Sequence, residues 1–529
     1  MSEAPKKQNF LQGAALLALA TAIVKVIGAF YKIPLNAIIG EQGFGYFYTA
    51  YEIYAVLLLI STGGLPVAMS RMISEASSTG RYRQVRQIYR TSQAIFLTLG
   101  LISSLLMTVF CRQLAVFQEQ PNAWFAIGCL GPCAFLVCLM SSYRGFFQGQ
   151  SNMLPTSLSQ VLEAFFKLVV GIAAAIVLLK ITNSIPFAAG GAILGVTFSC
   201  LIASIYLFFQ FRKAYVELPQ TDDEPESFRS TAKSLLAIAI PITIGSAGLQ
   251  LLSVLEAKLY MSQLLNTGVS QADADVMKGI YNMTQTIFNM PCSFIIPITI
   301  SIIPAITAQL TQNKHDAVKS TEESSARITG LIALPCAFGL FVLARPVTAL
   351  LGGYTGERLD LATSLMALQG IAIMVYAVVL TNAIMQAHNH ATVPVINMLA
   401  AGVMRLIIVY ILTGNPEIGL LGAPIGGIAC YLCITVLNLI SMKRIITQNP
   451  AIIRNVLRPL LPAALMGIAA FGCWWLLTRF TQSRLILCAL PVLTGVAVYA
   501  VCIILFKSIT REDCLLLPKG EKIAKLLRL

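Results

Sequence analysis

Charge is scarce in this sequence. Only 11% of its 529 residues are Asp, Glu, Lys or Arg, against about 25% in an ordinary soluble domain, while 57% are apolar. That balance excludes a water-solvated globular chain and leaves one solvated by lipid. Catalytic signatures are missing too. There is no Gly-x-x-x-x-Gly-Lys-Ser/Thr phosphate loop, no His-Glu-x-x-His zinc helix and no Gly-x-Ser-x-Gly elbow. ATP hydrolysis by this chain is therefore not expected, and neither is a cofactor. Cys430-x-x-Cys433 lies inside an apolar run with no second ligand pair, and His388-Asn389-His390 lies in a short turn, so both read as chance composition. The 13 cysteines fall mostly within apolar runs, as at Cys129, Cys133 and Cys138, and read as small packing residues with no disulfide framework.

What is present is a long series of apolar runs. A helix crosses the bilayer core with about 20 apolar residues, and runs broken at Gly, Pro, Asn or charge occupy 10–34, 46–73, 88–110, 123–147, 155–180, 187–211, 233–262, 280–310, 327–351, 361–387, 392–413, 419–442, 456–478 and 485–507. The first continues past Ala18-Leu19-Ala20 to Pro34, longer than a signal-peptide core, and reads as a retained first crossing. The expectation is an all-α polytopic membrane protein with about 14 transmembrane helices.

The crossings repeat. Pro66, Gln148 and Lys167 are matched by Pro304, Gln386 and Arg405 at a constant offset of 238, and Gly191-Ala192-Ile193-Leu194-Gly195 by Gly422-Ala423-Pro424-Ile425-Gly426 at 231. Two similar six-helix halves follow, with two helices added at the C-terminal end. Because six is even, both halves enter the membrane from the same side and form parallel repeats. The organisation expected is an N-lobe at 1–213, a cytoplasmic linker at 214–232, a C-lobe at 233–444, and two further helices with a basic tail at 445–529. The linker, with Thr221-Asp222-Asp223-Glu224-Pro225-Glu226, reads as flexible. The paired Gly-x-x-x-Gly stretches read as equivalent helix-packing sites. Pro66, Pro241, Pro291, Pro297 and Pro304, with Gly63-Gly64, mark bends.

Basic residues set the orientation, since cytoplasmic loops retain positive charge. Lys6, Lys7, Arg81, Arg83, Arg86, Arg90, Arg212, Lys213, Arg229, Lys233, Lys314, Lys319, Lys443, Arg444, Arg454, Arg458, Lys519, Lys522, Lys525 and Arg528 fall on one side, whereas the other holds chiefly Arg112, Lys180, Lys278, Arg358, Arg479 and Arg484. Both termini are expected in the cytoplasm. The net charge of +14 is then a topology signal, not a nucleic-acid footprint.

Charges inside the crossings are the chemically informative ones, because an ion at mid-bilayer costs at least a few kcal/mol. Lys25 and Lys32, seven apart, share a helix face; Glu163 and Lys167, four apart, are placed to pair. Counted from Pro155 and Pro394 at ~1.5 Å per residue, Lys167 and Arg405 lie some 16 to 18 Å deep. Arg71 stands near the cytoplasmic end of the second crossing. Arg405 has Ala401 where a helix-borne acid would stand, which points to an anionic ligand or a water-filled cavity.

These landmarks carry a family resemblance. The pattern of six, six and two crossings, Lys25-Val26-Ile27-Gly28-Ala29-Phe30-Tyr31-Lys32-Ile33-Pro34, Gly64-Leu65-Pro66-Val67-Ala68-Met69-Ser70-Arg71 before Ser74-Glu75, and Arg144-Gly145-Phe146-Phe147-Gln148-Gly149 before Pro155 resemble the polysaccharide-transport branch of the multidrug/oligosaccharidyl-lipid/polysaccharide exporter superfamily. Within it the chain is similar to the stage V sporulation protein B group, relatives of MurJ-type lipid II flippases. The resemblance implies a flippase, not an enzyme, in the bacterial cytoplasmic membrane. Its cargo would be an undecaprenyl-pyrophosphate-linked saccharide such as lipid II, moved by alternating access through a cationic cavity between two lobes. The partners it implies are that lipid-linked saccharide, membrane lipids, and a coupling ion, Na+ or H+, or the membrane potential. A family arginine in the first helix falls on Lys25, a second falls on Tyr31 beside Lys32, and one in the eighth falls near Gln285 and Thr286. The substrate-binding set expected is Lys25, Lys32, Arg71, Glu163, Lys167 and Arg405. Rival readings are a flippase for another polyprenyl-linked oligosaccharide, a drug or organic-cation antiporter using Glu52, Glu163 and Glu256, and a membrane-embedded enzyme of envelope synthesis.

Overall fold

The computed structural model describes residues 10–376, 380–446 and 450–510. Lys6, Lys7, Lys519, Lys522, Lys525 and Arg528 lie outside the described residues, as do the side chains of Pro241, Pro297 and Pro304. Every regular element among the described residues is helical: α1 (Phe10–Thr62), α2 (Leu65–Ser78), α3 (Tyr82–Val109), α4 (Cys111–Phe117), α5 (Trp124–Gly149), α6 (Leu154–Thr182), α7 (Ile185–Val216), α8 (Phe228–Asn266), α9 (Gln271–Thr311), α10 (His315–Val342), α11 (Ala344–Leu351), α12 (Gly356–Tyr376), α13 (Leu380–Ala387), α14 (Thr392–Thr413), α15 (Gly422–Ile445), α16 (Ile452–Leu457), α17 (Leu460–Leu477) and α18 (Arg484–Leu505). Among the described residues the fourteen apolar runs coincide with these helices, and eleven segments are long and apolar enough to cross a membrane. One of the eleven, Ile23–Ser78, contains the second expected crossing and the end of the first.

Local sequence explains the breaks. α1 bends at Gly40, where φ of 69° and ψ of 177° leave helical space at little cost for glycine. The Gly63-Gly64 pair ends α1, and Pro66 starts α2 in its first turn, where a missing N–H leaves no bond unmade. Pro155 and Pro186 open α6 and α7 in the same way, and α6 stops at Asn183 in a left-handed cap.

The described chain forms two compact units, residues 10–262 with 269–279, and 263–268 with the described residues of 280–510. The core of the first unit centres on Tyr31, Leu35, Phe47, Met69, Phe96, Leu130, Phe146 and Leu207. α8, which the sequence division groups with the second half, clusters with this unit over most of its length: Leu235 and Ala239 join its core. Gly64 makes the approach possible. A Cβ there would stand 2.1 Å from the Ala239 carbonyl oxygen, and the Gly64 N–H donates to Thr243 Oγ1 at 3.1 Å. The core of the second unit centres on Ile295, Ala326, Ala333, Met366, Ile373, Ile384 and Val456.

The segment between α7 and α8, expected to be loose, is fastened to the start of α3. That helix has no side-chain cap of its own, and its early amides need acceptors. Thr221 Oγ1 accepts from Tyr82 N at 3.2 Å, and the Asp223 carboxylate accepts from Arg83 N at 3.0 Å and Gln84 N at 2.9 Å. Arg83 pairs with Asp222 at 2.8 Å, and Arg86 donates to the carbonyls of Leu218 and Pro219. Polarity made this segment read as flexible; distant helix-capping partners, invisible in local sequence, hold it.

Candidate functional site

The bend at Gly40 folds α1 back so that Tyr31 and Lys32 face the aromatic stripe Phe44, Phe47, Tyr48, Tyr51 and Tyr54 of the same helix, residues spaced to share one side. Tyr31 is a fixed platform: it is buried and its hydroxyl donates to the Ala192 carbonyl of α7 at 3.1 Å. Lys32 Nζ donates to Tyr48 Oη at 2.6 Å and lies 4.9 Å from that ring's centroid. Lys167 of α6 enters from the other side, its Nζ 5.4 Å from the Tyr31 centroid and 4.9 Å from that of Tyr51. Ring faces attract a cation by roughly 0.5 to 2 kcal/mol but leave its charge intact. The Tyr51 hydroxyl is buried and makes no hydrogen bond among the described residues.

The pairing expected of Glu163 with Lys167 gives way to another. Glu163 Oε2 takes Arg144 Nη2 of α5 at 3.0 Å, and Arg144 Nε donates to Ser159 Oγ at 3.0 Å. A planar guanidinium satisfies both acceptors at once, which an ammonium four residues along the same helix does not. Arg144 holds the Glu163 carboxylate while Lys32 and Lys167 lie against tyrosine rings, which leaves more cations than acids in this set.

The structure brings Lys32, Glu163 and Lys167 together in the first unit. Lys25 on α1 and Arg71 on α2 are exposed, outside that contact set. Arg405 belongs to the second unit, half-buried on α14, where its guanidinium approaches Gly427 of α15 and its charge acts on Tyr431.

Sequence reasoning missed two basic residues. Arg144 was read only as part of a motif; its acid lies on a neighbouring helix, so no spacing within α5 announces it. Lys278 was counted as an outer-loop charge, yet it is fully buried and pairs with Glu52 at 3.1 Å. One turn earlier the buried Asp275 accepts from Tyr46 Oη at 2.8 Å, Gln120 Nε2 at 3.0 Å and Gln271 Nε2 at 2.9 Å. α9 begins before its apolar run, and the acid-amide composition of residues 271–278 was the available signal. On the second unit, His388 of the His-Asn-His turn pairs with the buried Glu322 at 2.8 Å.

Comparison with known proteins agrees with this architecture. A family model described as polysaccharide biosynthesis protein matches residues 10–309. The chain is 24% identical over 445 residues to stage V sporulation protein B of Bacillus subtilis (strain 168), covering 83% of this chain and 85% of the relative. It is 23% identical over 526 residues to Lipid II flippase MurJ of the same organism, covering 93% and 95% respectively. Among solved structures, Lipid II flippase MurJ in an inward closed conformation superposes with a TM-score of 0.68 at 14% identity, covering 95% of this chain and 100% of that one.

Proposed function

The chain belongs to the polysaccharide biosynthesis protein family, and from that premise we propose that it is a flippase for a lipid-linked saccharide, with undecaprenyl-pyrophosphate-linked lipid II as cargo. It acts in the bacterial cytoplasmic membrane with both termini inside, its N-lobe and C-lobe alternating access around the headgroup. The observation that carries this reading is the cationic surplus at Lys32 and Lys167, whose partners are aromatic rings and a hydroxyl instead of acids. Charge-assisted donors in a low-dielectric setting suit a pyrophosphate, and the Tyr51 hydroxyl offers a further donor beside Lys167. Lys25 and Arg71 add to the anion-binding set of the first unit, with Glu163 tuning its charge, and Arg405 supplies an anion-binding cation in the second. The prenyl tail stays in the bilayer while the sugar crosses.

Export of an anion also runs downhill in an inside-negative potential, by about 2.3 kcal/mol per charge per 100 mV, so the membrane potential contributes to the driving force alongside any Na+ or H+ gradient. The cation-antiporter reading loses support because Glu52 and Glu163 are already engaged by Lys278 and Arg144. Reconstitution with labelled lipid II, a neutral glycolipid and a cationic dye tests the proposal. Movement of lipid II ahead of both others is expected, and preference for the dye would overturn it.

A further inference from the structure

Resting on that reading, we propose that Arg144 is a positioning residue that keeps Glu163 from pairing with Lys167, so that the Lys167 ammonium keeps its donors and field available to a phosphorylated headgroup. Glu163 and Lys167 are four residues apart on α6, within mutual reach. Paired directly, the carboxylate would occupy the ammonium's donors and offset its field. Arg144 reaches across from α5 and engages Glu163 Oε2 at 3.0 Å, anchored by Ser159 Oγ at 3.0 Å and Met140 Sδ at 4.0 Å. The Ser159 hydroxyl spends its own hydrogen on the Thr156 carbonyl at 2.7 Å, which fixes a lone pair toward Arg144. Lys167 is left on the faces of Tyr31 and Tyr51.

The second repeat supplies an independent observation. At the offset of 238, Arg144, Ser159, Glu163 and Lys167 become Asn382, Asn397, Ala401 and Arg405. The cation persists, while the acid and the arginine that restrains it are replaced together. In their place Asn438 Nδ2 donates to Asn382 Oδ1 at 2.5 Å and to Thr381 Oγ1 at 2.8 Å, and Asn397 Nδ2 donates to Asn438 Oδ1 at 2.8 Å. Where the helix carries no acid one turn before the cation, the position of Arg144 carries an asparagine.

The test measures farnesyl pyrophosphate affinity on the purified full chain, with thermal unfolding followed in parallel. Arg144→Gln should weaken binding about tenfold, Glu163→Gln should tighten it two- to threefold, and the double variant should return to within threefold of the parent. In a Lys167→Gln background, Arg144→Gln should change affinity by less than twofold, because its effect passes through Lys167. A tenfold loss persisting there marks a general field effect and overturns the proposal, as does a double variant no better than Arg144→Gln. Should Arg144→Gln fail to fold, Ala401→Glu places an unrestrained acid beside Arg405, and undiminished binding would overturn it equally. The functional reading fails separately, if Lys167→Gln itself binds the probe like the parent.

Discussion

The two repeats share their packing and differ in their charge. In the first unit, a Cβ on Gly195 would stand 2.2 Å from Gly171 Cα, and one on Gly191 would stand 2.7 Å from the Ala174 carbonyl oxygen. In the second, Gly426 meets Val409 Cγ2 at 2.6 Å, and Gly422 meets the Leu412 to Thr413 stretch at 2.8 to 2.9 Å. Val409 and Leu412 are Gly171 and Ala174 shifted by 238. The helix contact α6 to α7 is thus rebuilt as α14 to α15 in one register, while an arginine–glutamate pair beside it becomes an asparagine cluster. Small residues fix where the helices touch in a medium that offers no hydrophobic drive for helix association, and polar groups beside the contact are free to diverge.

The largest break in this correspondence is the Lys278 and Glu52 pair, whose counterparts at the same offset are Gly40 and Met290. Removing one partner of a buried pair strands the other charge, typically at about 3 to 5 kcal/mol. Lys278→Met should therefore destabilise the protein by about that much in thermal unfolding, and Lys278→Met with Glu52→Gln by distinctly less. A double-variant cost equal to the sum of the two single costs would mean that the two charges do not depend on each other.

The glycines come next. Gly195→Ala forces a methyl into backbone, which cannot yield, whereas Gly426→Ala meets the end of the Val409 side chain. Overpacking costs typically about 1 to 3 kcal/mol, so Gly195→Ala should fall at the upper end or beyond and Gly426→Ala near the lower end. Equal shifts in unfolding temperature would show that the second contact is as rigid as the first.

The glycine spacing was legible because it needs only one helix's own period, and the crossings were legible because their length is set by the bilayer. Partners on other helices were not. Glu163 and Lys167 satisfied a local rule, but a guanidinium on α5 with two anchors outcompeted it. Lys278 fell two residues before an apolar run and so read as loop, although α9 starts at Gln271. Segment 214–232 is polar enough for solvent, yet its carboxylate and carbonyls answer the donors of α3. Local sequence reports the period of a helix; which unpaired groups will meet is decided by packing.

A smaller expected effect comes from rebuilding the first repeat's charges in the second. Ala401→Glu should lower lipid transport about tenfold by pairing with Arg405, and adding Asn382→Arg should recover a third or more of it. Transport measured in vesicles decides: no recovery would mean that Asn382 and Arg144 do not occupy equivalent positions in function, however well they match in sequence.

The smallest concerns the connectors, where the two units exchange roles. In the first, connector residue Asp223 accepts from two amides of α3; in the second, the Glu323 carboxylate of α10 accepts from the connector amide of Ala451 at 3.2 Å. Desolvation opposes ionisation of Asp223, but the hydrogen bonds from Thr221 and from the Arg83 and Gln84 amides prevail and hold it at about 2, below its ordinary 3.8. A carboxylate held low in the folded state adds its stability above its ordinary value and loses it as pH falls, here between 3.8 and about 2. Hydrogen exchange at the Arg83 and Gln84 amides, corrected for the intrinsic pH dependence, should therefore accelerate across that window and not at neutral pH. Asp223→Asn should exchange faster already at pH 7 and show no such step, and Glu323→Ala should release a single amide, that of Ala451. A step that survives Asp223→Asn would assign the titration to another acid and leave α3 capped by Thr221 alone.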